Sequence, residues 1–374
     1  MTSKERVFAA LNHEEADRVP LDIGGINNSM MHRLVEKELK EKLGLEDHGY
    51  FIKAINQGVV VPDQSVVDYF GADTCCIYIN ETRPWIDNGD GTFTDMWGVG
   101  QKLNPDGYYY NMCRHPLEDA EEPEDLDALV WDEPNEYMIE GLAERLEANK
   151  DKFCILEGFR ETMFGLPSWL RGIENFYVDL LANEELCDAL HEKILAYQIK
   201  LVDYVMDRFA DQIDIVKYAD DMGTQQSLLM SPETYRKMVK PYQARLYQHV
   251  KEKYHKKILL HSCGAIRPII GDLIEIGVDA INPVQISAEG MNPRELKKEF
   301  GKNITFWGGG VDTQSVLNLA SPEEVKRSVK ENIEIFKPGG GFVFTQVHNI
   351  QPGVPADNVI AMYEAYRENA DYKK

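Results

Sequence analysis

Eight short apolar runs punctuate this chain, at 18–23, 74–79, 153–157, 213–219, 258–261, 279–283, 304–307 and 342–347. Their interiors are nearly continuous hydrophobics, the pattern of parallel strands covered on both faces. Helical patterns lie between most of them. Ser231-Pro232-Glu233 and Ser321-Pro322-Glu323-Glu324 read as helix N-caps with Pro at the first helical position, the second with a Glu at the capping-box position. A short helix over 267–276 ends at Gly277, and 356–368 is an amphipathic closing helix. Strands alternating with helices predict the α/β class and a (β/α)8 barrel. The first two runs are separated by a long stretch with a helix over 30–43. Between the second and third, 87–132 is rich in Gly, Asp, Pro and Tyr, and Asn88-Gly89-Asp90-Gly91 is a hairpin turn signal with 92–95 returning. The expected organisation is one barrel domain over 1–374. Residues 1–73 form an N-terminal helical extension with the first strand, and 80–150 an excursion over the barrel mouth.

Length and charge narrow the function. A chain of 374 residues accommodates a barrel as a single unit. The formal net charge of -23 argues against nucleic acid or an anionic membrane as partner, and disfavours a highly anionic substrate. The acidic run 118–127 reads as a solvated face. No stretch reaches the roughly 18 apolar residues of a membrane span, and the start lacks the apolar core of a signal peptide. The six cysteines, at 75, 76, 113, 154, 187 and 263, show no secreted disulfide spacing. A cytoplasmic location is expected.

Barrel enzymes carry their chemistry just after the strands, and polar or glycine-rich exits follow seven of the eight runs. They include Asp22, then Glu157 with Arg160 and Glu161, Asp220-Asp221, His261-Ser262-Cys263-Gly264, Asn282 with Gln285, Gly308-Gly309-Gly310, and His348-Asn349. His261 and Cys263, two residues apart at a strand end, point to one side. Both are ligand types that Zn2+ takes. His348 lies 85 residues past Cys263 (348 minus 263), at the end of the last strand. Strands five and eight face each other across part of the mouth, so the three side chains can converge on one ion. Three protein ligands with an open fourth position is the arrangement of a catalytic zinc site. The alternative for His348 is a buried imidazole donating to a backbone carbonyl.

The remaining residues keep two readings each. Strand alternation sends one of Asp220 and Asp221 into the mouth and the other outward. The pair reads as a proton-handling or substrate-orienting acid, or as a cap or surface ion pair. Glu157 reads as a further ligand, an acid, or a carboxylate satisfied inside the barrel. Gly308 and Gly309 mark close backbone approach to a ligand, or a tight turn. Together with Asp22, Asn282 and Gln285 they are the candidates for substrate contact. Trp85, Trp97 and Tyr108-Tyr109-Tyr110 read as a lid over an apolar or aromatic substrate, or as packing.

The blocks Ala219-Asp220-Asp221-Met222-Gly223-Thr224-Gln225, Lys240-Pro241-Tyr242, His261-Ser262-Cys263-Gly264, Asn282-Pro283-Val284-Gln285 and Phe306-Trp307-Gly308-Gly309 resemble the uroporphyrinogen decarboxylase superfamily. Within it, they resemble the corrinoid-linked methyltransferase branch. The resemblance is clearest from Tyr218 onward and implies a (β/α)8 barrel. It also implies Zn2+ held by the His and Cys of an HxC motif and by a Cys seven residues before a Pro that opens the last helix. Here His348 stands in that third place, seven residues before Pro355. The implied activity is zinc-dependent transfer of a methyl group between a small methylated substrate or thiol and a methylcobamide (a cobalamin-type corrinoid) on a separate protein. His261, Cys263 and His348 would be ligands, and Glu157, Asp220 and Asp221 would orient substrate or handle protons. Dimers are common among such barrels, so a homodimer is an open expectation. The family's decarboxylases carry an Arg-rich N-terminal segment, whereas 18–25 here holds one Arg. The alternatives are a uroporphyrinogen-type decarboxylase, with Asp220 or Asp221 stabilising a protonated pyrrole, and a non-catalytic corrinoid or small-ligand binding protein.

Overall fold

The computed structural model describes residues 1–54 and 57–372. Seven of the eight apolar runs are parallel strands of one curled sheet. In chain order they are β1 (Thr74–Tyr78), β2 (Phe153–Glu157), β3 (Ile215–Ala219), β4 (Lys257–His261), β5 (Ala280–Asn282), β6 (Thr305–Trp307) and β7 (Phe342–Val343). Spatial order follows chain order, each strand pairing with the next. Residues 18–23 form no regular strand, a correction to the expected eight. Pro20 has no N–H to give a ladder. The segment still spans the gap between the sheet's two edges. Phe344 N–H donates to Pro20 O (2.9 Å), Asp22 N–H to Phe344 O (2.9 Å), and Asp73 N–H to Leu21 O (2.8 Å).

Alternation along the strands separates two cores. Odd-numbered Phe153, Ile155, Ile215, Leu259 and Trp307 meet inside the curl with Ala280 and Val343. Cys154, Leu156, Val216, Tyr218, Ile258 and Leu260 face outward against the surrounding helices. The inner cluster is closed from below by the helix Ser3–Leu11, which adds Val7, Ala10 and Leu11. Thr2 and Glu5 form its capping box. Each fully buried aliphatic side chain contributes about 1.5–3 kcal/mol, so plug and strands hold each other in place. The predicted cap of Ser321 on Pro322–Phe336 is formed, as is that of Ser231, whose hydroxyl accepts from Thr234 N–H. The helix expected over 30–43 begins at Arg33, because Met31 and His32 instead pair with Val60 and Val59.

Residues 87–132 contain the predicted hairpin. Ile86–Asp87, Thr92–Thr94, Gly100–Leu103 and Tyr110–Arg114 form a four-stranded antiparallel sheet. Trp97 is buried against Trp131 and Tyr197, so it packs rather than covers a ligand. Among the described residues, no helix is long and apolar enough to cross a membrane.

Candidate metal centre

Continuing the inward parity up the strands replaces apolar side chains by polar ones: Glu157 on β2, Lys217 on β3, His261 on β4. These side chains floor a cavity of about 480 Å³ at the C-terminal end of the sheet. Phe51, Tyr78, Trp85, Tyr137 and Trp169 give it aromatic walls. Four basic side chains (Lys53, Arg83, Arg160, Lys217) and four acidic ones (Glu81, Glu157, Glu161, Asp221) line it. The net charge of the chain therefore does not carry into the cavity.

His261, Cys263 and His348 converge beside this cavity, their ligand atoms all within 4.8 Å of one another. His261 Nε2 is 3.3 Å from Cys263 Sγ, and the two imidazole centroids are 5.3 Å apart. Each ring is held by its other nitrogen. His261 Nδ1 lies 2.5 Å from Asn282 Oδ1, and His348 Nδ1 lies 2.8 Å from Asn349 Oδ1. An amide oxygen accepts only, so both Nδ1 atoms carry the proton and both Nε2 lone pairs face the centre. Burial pushes His261 down to about 3 and lowers His348 as well, which keeps both rings neutral. Burial, and after it Asp221, pushes the Cys263 thiol up, so a thiolate there requires a cation beside it. Two neutral imidazoles and one thiol, with secured tautomers, suit Zn2+ as a donor set. His348 holds its position at φ 65°, a left-handed conformation that costs a non-glycine residue of order 1–3 kcal/mol.

Asp221 lines the cavity, its Oδ1 accepting from Cys263 N–H (2.9 Å) and lying 3.6 Å from His261 Nε2. Glu161 Oε2 accepts from Asp221 N–H (3.1 Å). Burial, then the nearby Asp221 and Asp220, raises the Glu161 carboxyl well above its usual range. Glu157 pairs with Lys217 at 2.9 Å and accepts from Asn27 N–H at 2.8 Å. Burial opposes its charge, but Lys217 and Lys53 prevail and keep it ionised.

Several expected site residues stand elsewhere. Asp220 is fully buried outside the cavity, as its even parity requires. It accepts from the backbone N–H groups of Thr162, Met163, Phe164 and Gly165, from the Thr162 hydroxyl, and from Gln243. It organises that turn and does not line the cavity. Asp22, also buried, accepts from Trp307 Nε1–H, Thr74 Oγ1–H and Gly25 N–H, which ties the first segment to β6 and β1. Asn282 bridges His261 to Trp307 O, and Gln285 Oε1 accepts from Gly264 N–H (2.8 Å). A Cβ on Gly308 (φ 128°) would sit 2.2 Å from Pro283 O, and Gly309 packs on Phe336 and Ile286. Both glycines serve chain packing, and none of these five residues lines the cavity.

Three participants escaped the sequence reading. Lys217 is a lone cation inside an otherwise apolar strand, a legible signal. Asn27 and Asn28 follow Ile26 in a single 3-10 turn, Asn27–Ser29, with no motif. Asn28 Nδ2 lies 3.1 Å from His261 Nε2 and 3.3 Å from His348 Nε2.

A methyltransferase from Methanosarcina mazei superposes with a TM-score of 0.65 at 19% identity, over 98% of this chain and 99% of that one. At that identity it shows a shared fold. The uroporphyrinogen decarboxylase of Coxiella burnetii is 20% identical over 279 residues, 73% of each chain. That of Prochlorococcus marinus is 21% identical over 260 residues, 68% of this chain and 69% of its own. The model of the uroporphyrinogen decarboxylase (URO-D) family matches residues 97–369, nearly three quarters of the length, and the chain belongs to that family.

Proposed function

We propose that this chain is a zinc-dependent methyltransferase, moving a methyl group between a small methylated substrate or thiol and a corrinoid carried by a separate protein. The observation that carries the reading is the converging His261, Cys263 and His348, each ring fixed by an amide oxygen, beside an aromatic-walled cavity. These three residues would hold zinc, which would supply a Lewis acid able to lower the pKa of a thiol or polarise an ether oxygen. The protein's own groups divide the remaining work. The aromatic walls exclude water and take up the apolar body of a substrate. Glu161, its carboxyl made readier to keep a proton by burial and by Asp221, stands beside Asp221 at the edge of the ligand cluster. The Glu157–Lys217 pair provides a fixed, internally balanced polar floor.

The test is metal content by mass spectrometry on the wild type and on Cys263→Ser and His348→Ala, followed by methyl transfer to a free cobamide read by its visible spectrum. About one zinc per chain, lost in both variants, with transfer only by loaded protein, is the expected result. Wild type without zinc after metal-replete expression overturns the reading.

The curated relatives favour a second reading, decarboxylation of a porphyrinogen. The N-terminal segment supplies little for it. Its Arg18 is committed to Asp73 at 2.7 Å and does not line the cavity. Turnover of a porphyrinogen by metal-free protein would establish that second activity.

A further inference from the structure

The amide of Asn28 stands in an unusual place. It is 4% exposed, and its Nδ2 reaches the Nε2 atoms of His261 and His348 at 3.1 and 3.3 Å. Those two lone pairs are the ones an ion would take. Its Oδ1, equally buried, has no hydrogen-bond partner among the described residues. Leaving a buried acceptor unmade costs about 1–3 kcal/mol, so the side chain is satisfied at one end only.

Several distances are close to those of a coordination site, and the three ligand atoms lie within 4.8 Å of one another. With metal–nitrogen bonds of about 2.0–2.1 Å and a metal–sulfur bond of about 2.3 Å, tetrahedral ligand atoms lie roughly 3.3–3.6 Å apart. His261 Nε2 to Cys263 Sγ is 3.3 Å, and the Asn28 amide stands at 3.1 and 3.3 Å from the two imidazole nitrogens. The amide end therefore stands at about ligand-to-ligand distance from both histidines, within reach of the open fourth vertex. The N–H end suits that vertex only while the nitrogens are free to accept. Once both lone pairs are engaged by a cation, the N–H dipole points the wrong way. A half-turn of the planar amide exchanges nitrogen for oxygen in nearly the same volume.

We propose that Asn28 is a reversible fourth ligand, its amide turning over on metal loading so that Oδ1 contacts the ion and yields when substrate arrives. This rests on the metal-site reading above. A neutral carbonyl oxygen is a weaker donor for zinc than imidazole or thiolate, which suits a position that must be vacated. In this role Asn28 keeps the fourth vertex from solvent and selects substrates whose sulfur or oxygen outcompetes an amide.

The test is Zn2+ and Co2+ binding to metal-stripped wild type, Asn28→Ala and Asn28→Asp, by competition with a chromophoric chelator. The Co2+ absorption between 500 and 700 nm reports coordination. Melting of the metal-free proteins checks that each variant folds. We expect affinity to fall about 10- to 100-fold in Asn28→Ala, in line with the loss of a supporting group. Asn28→Asp, which keeps an oxygen there, is expected to bind at least as tightly as wild type, and the Co2+ band to shift in Asn28→Ala alone. Wild-type loading with both variants within twofold of it and an unmoved Co2+ band overturns the role of Asn28 while leaving the metal site standing. Weak binding by Asn28→Asp equal to that of Asn28→Ala also overturns it, since a lost donor rather than a lost oxygen would then be the cause. Failure of the wild type to bind either metal overturns both readings together.

Discussion

At the residue scale, parity sorts adjacent carboxylates into different roles. Asp221 faces the cavity, while Asp220, one residue earlier, is enclosed by donors from Thr162 through Gly165. An amide in place of the Asp220 carboxylate turns an NH2 toward those N–H groups. Asp220→Asn is expected to lower stability by about 3–5 kcal/mol, the scale for breaking a buried charged network. Urea unfolding measures that loss. If the proposed site binds zinc, its content per folded chain should remain that of wild type, whereas a ligand or substrate-contacting role for Asp220 would move metal content or KM in protein that still folds. The HxC motif was legible for the opposite reason. Its candidate ligands are two residues apart, His261 closing β4 and Cys263 just beyond it, so chain proximity already brings them together. Asn28 was not legible, because a short turn brings it to His261 from 233 residues away in sequence.

At the element scale, seven strands were visible as apolar runs because both faces of each are covered. The eighth run failed as a strand at Pro20, yet it bridges the sheet edges through three backbone hydrogen bonds. Apolar character marks burial, and ladder formation additionally needs N–H groups. Gly308 shows the same division between composition and packing. The sequence allowed either a ligand approach or a tight turn, and the nearest obstacle to a Cβ is Pro283 O at 2.2 Å. Gly308→Ala therefore meets both a left-side backbone conformation (φ 128°) and a backbone clash. We expect about 2–4 kcal/mol of destabilisation by denaturant titration. A change confined to substrate affinity, with stability intact, would instead return Gly308 to the cavity.

At the scale of the whole molecule, stability depends on groups remote from the site. Glu36, 1% exposed, accepts from Asp63 N–H at 2.8 Å, and burial pushes its carboxyl up to about 7 against an ordinary 4.5. A raised carboxyl pKa means the folded state holds the proton more tightly than the unfolded chain. Its ionisation thus costs no stability below about pH 4.5, a growing amount between 4.5 and 7, and a constant amount above. Glu36→Gln keeps the acceptor for Asp63 and removes the charge. The variant is expected to match wild type near pH 4.5 and to exceed it by about 2–3 kcal/mol above pH 7. Equal stabilities across that range would show that Lys40, 3.9 Å away, fully compensates the buried charge.

The class of fold, the helix caps and the His261–Cys263 pair could be read from the chain alone, since each is written in local periodicity or in a short motif. Whether His348 joins that pair, and which polar residues reach the cavity, depended on how the chain folds. Asn28 and Lys217 reach it, while Asp22, Asp220 and Gln285 do not. The physical reason is curvature. Period-two alternation tells which side chains share a face, but closing the sheet chooses which face becomes the interior. The loops after the strands are then brought together from segments that share no local pattern.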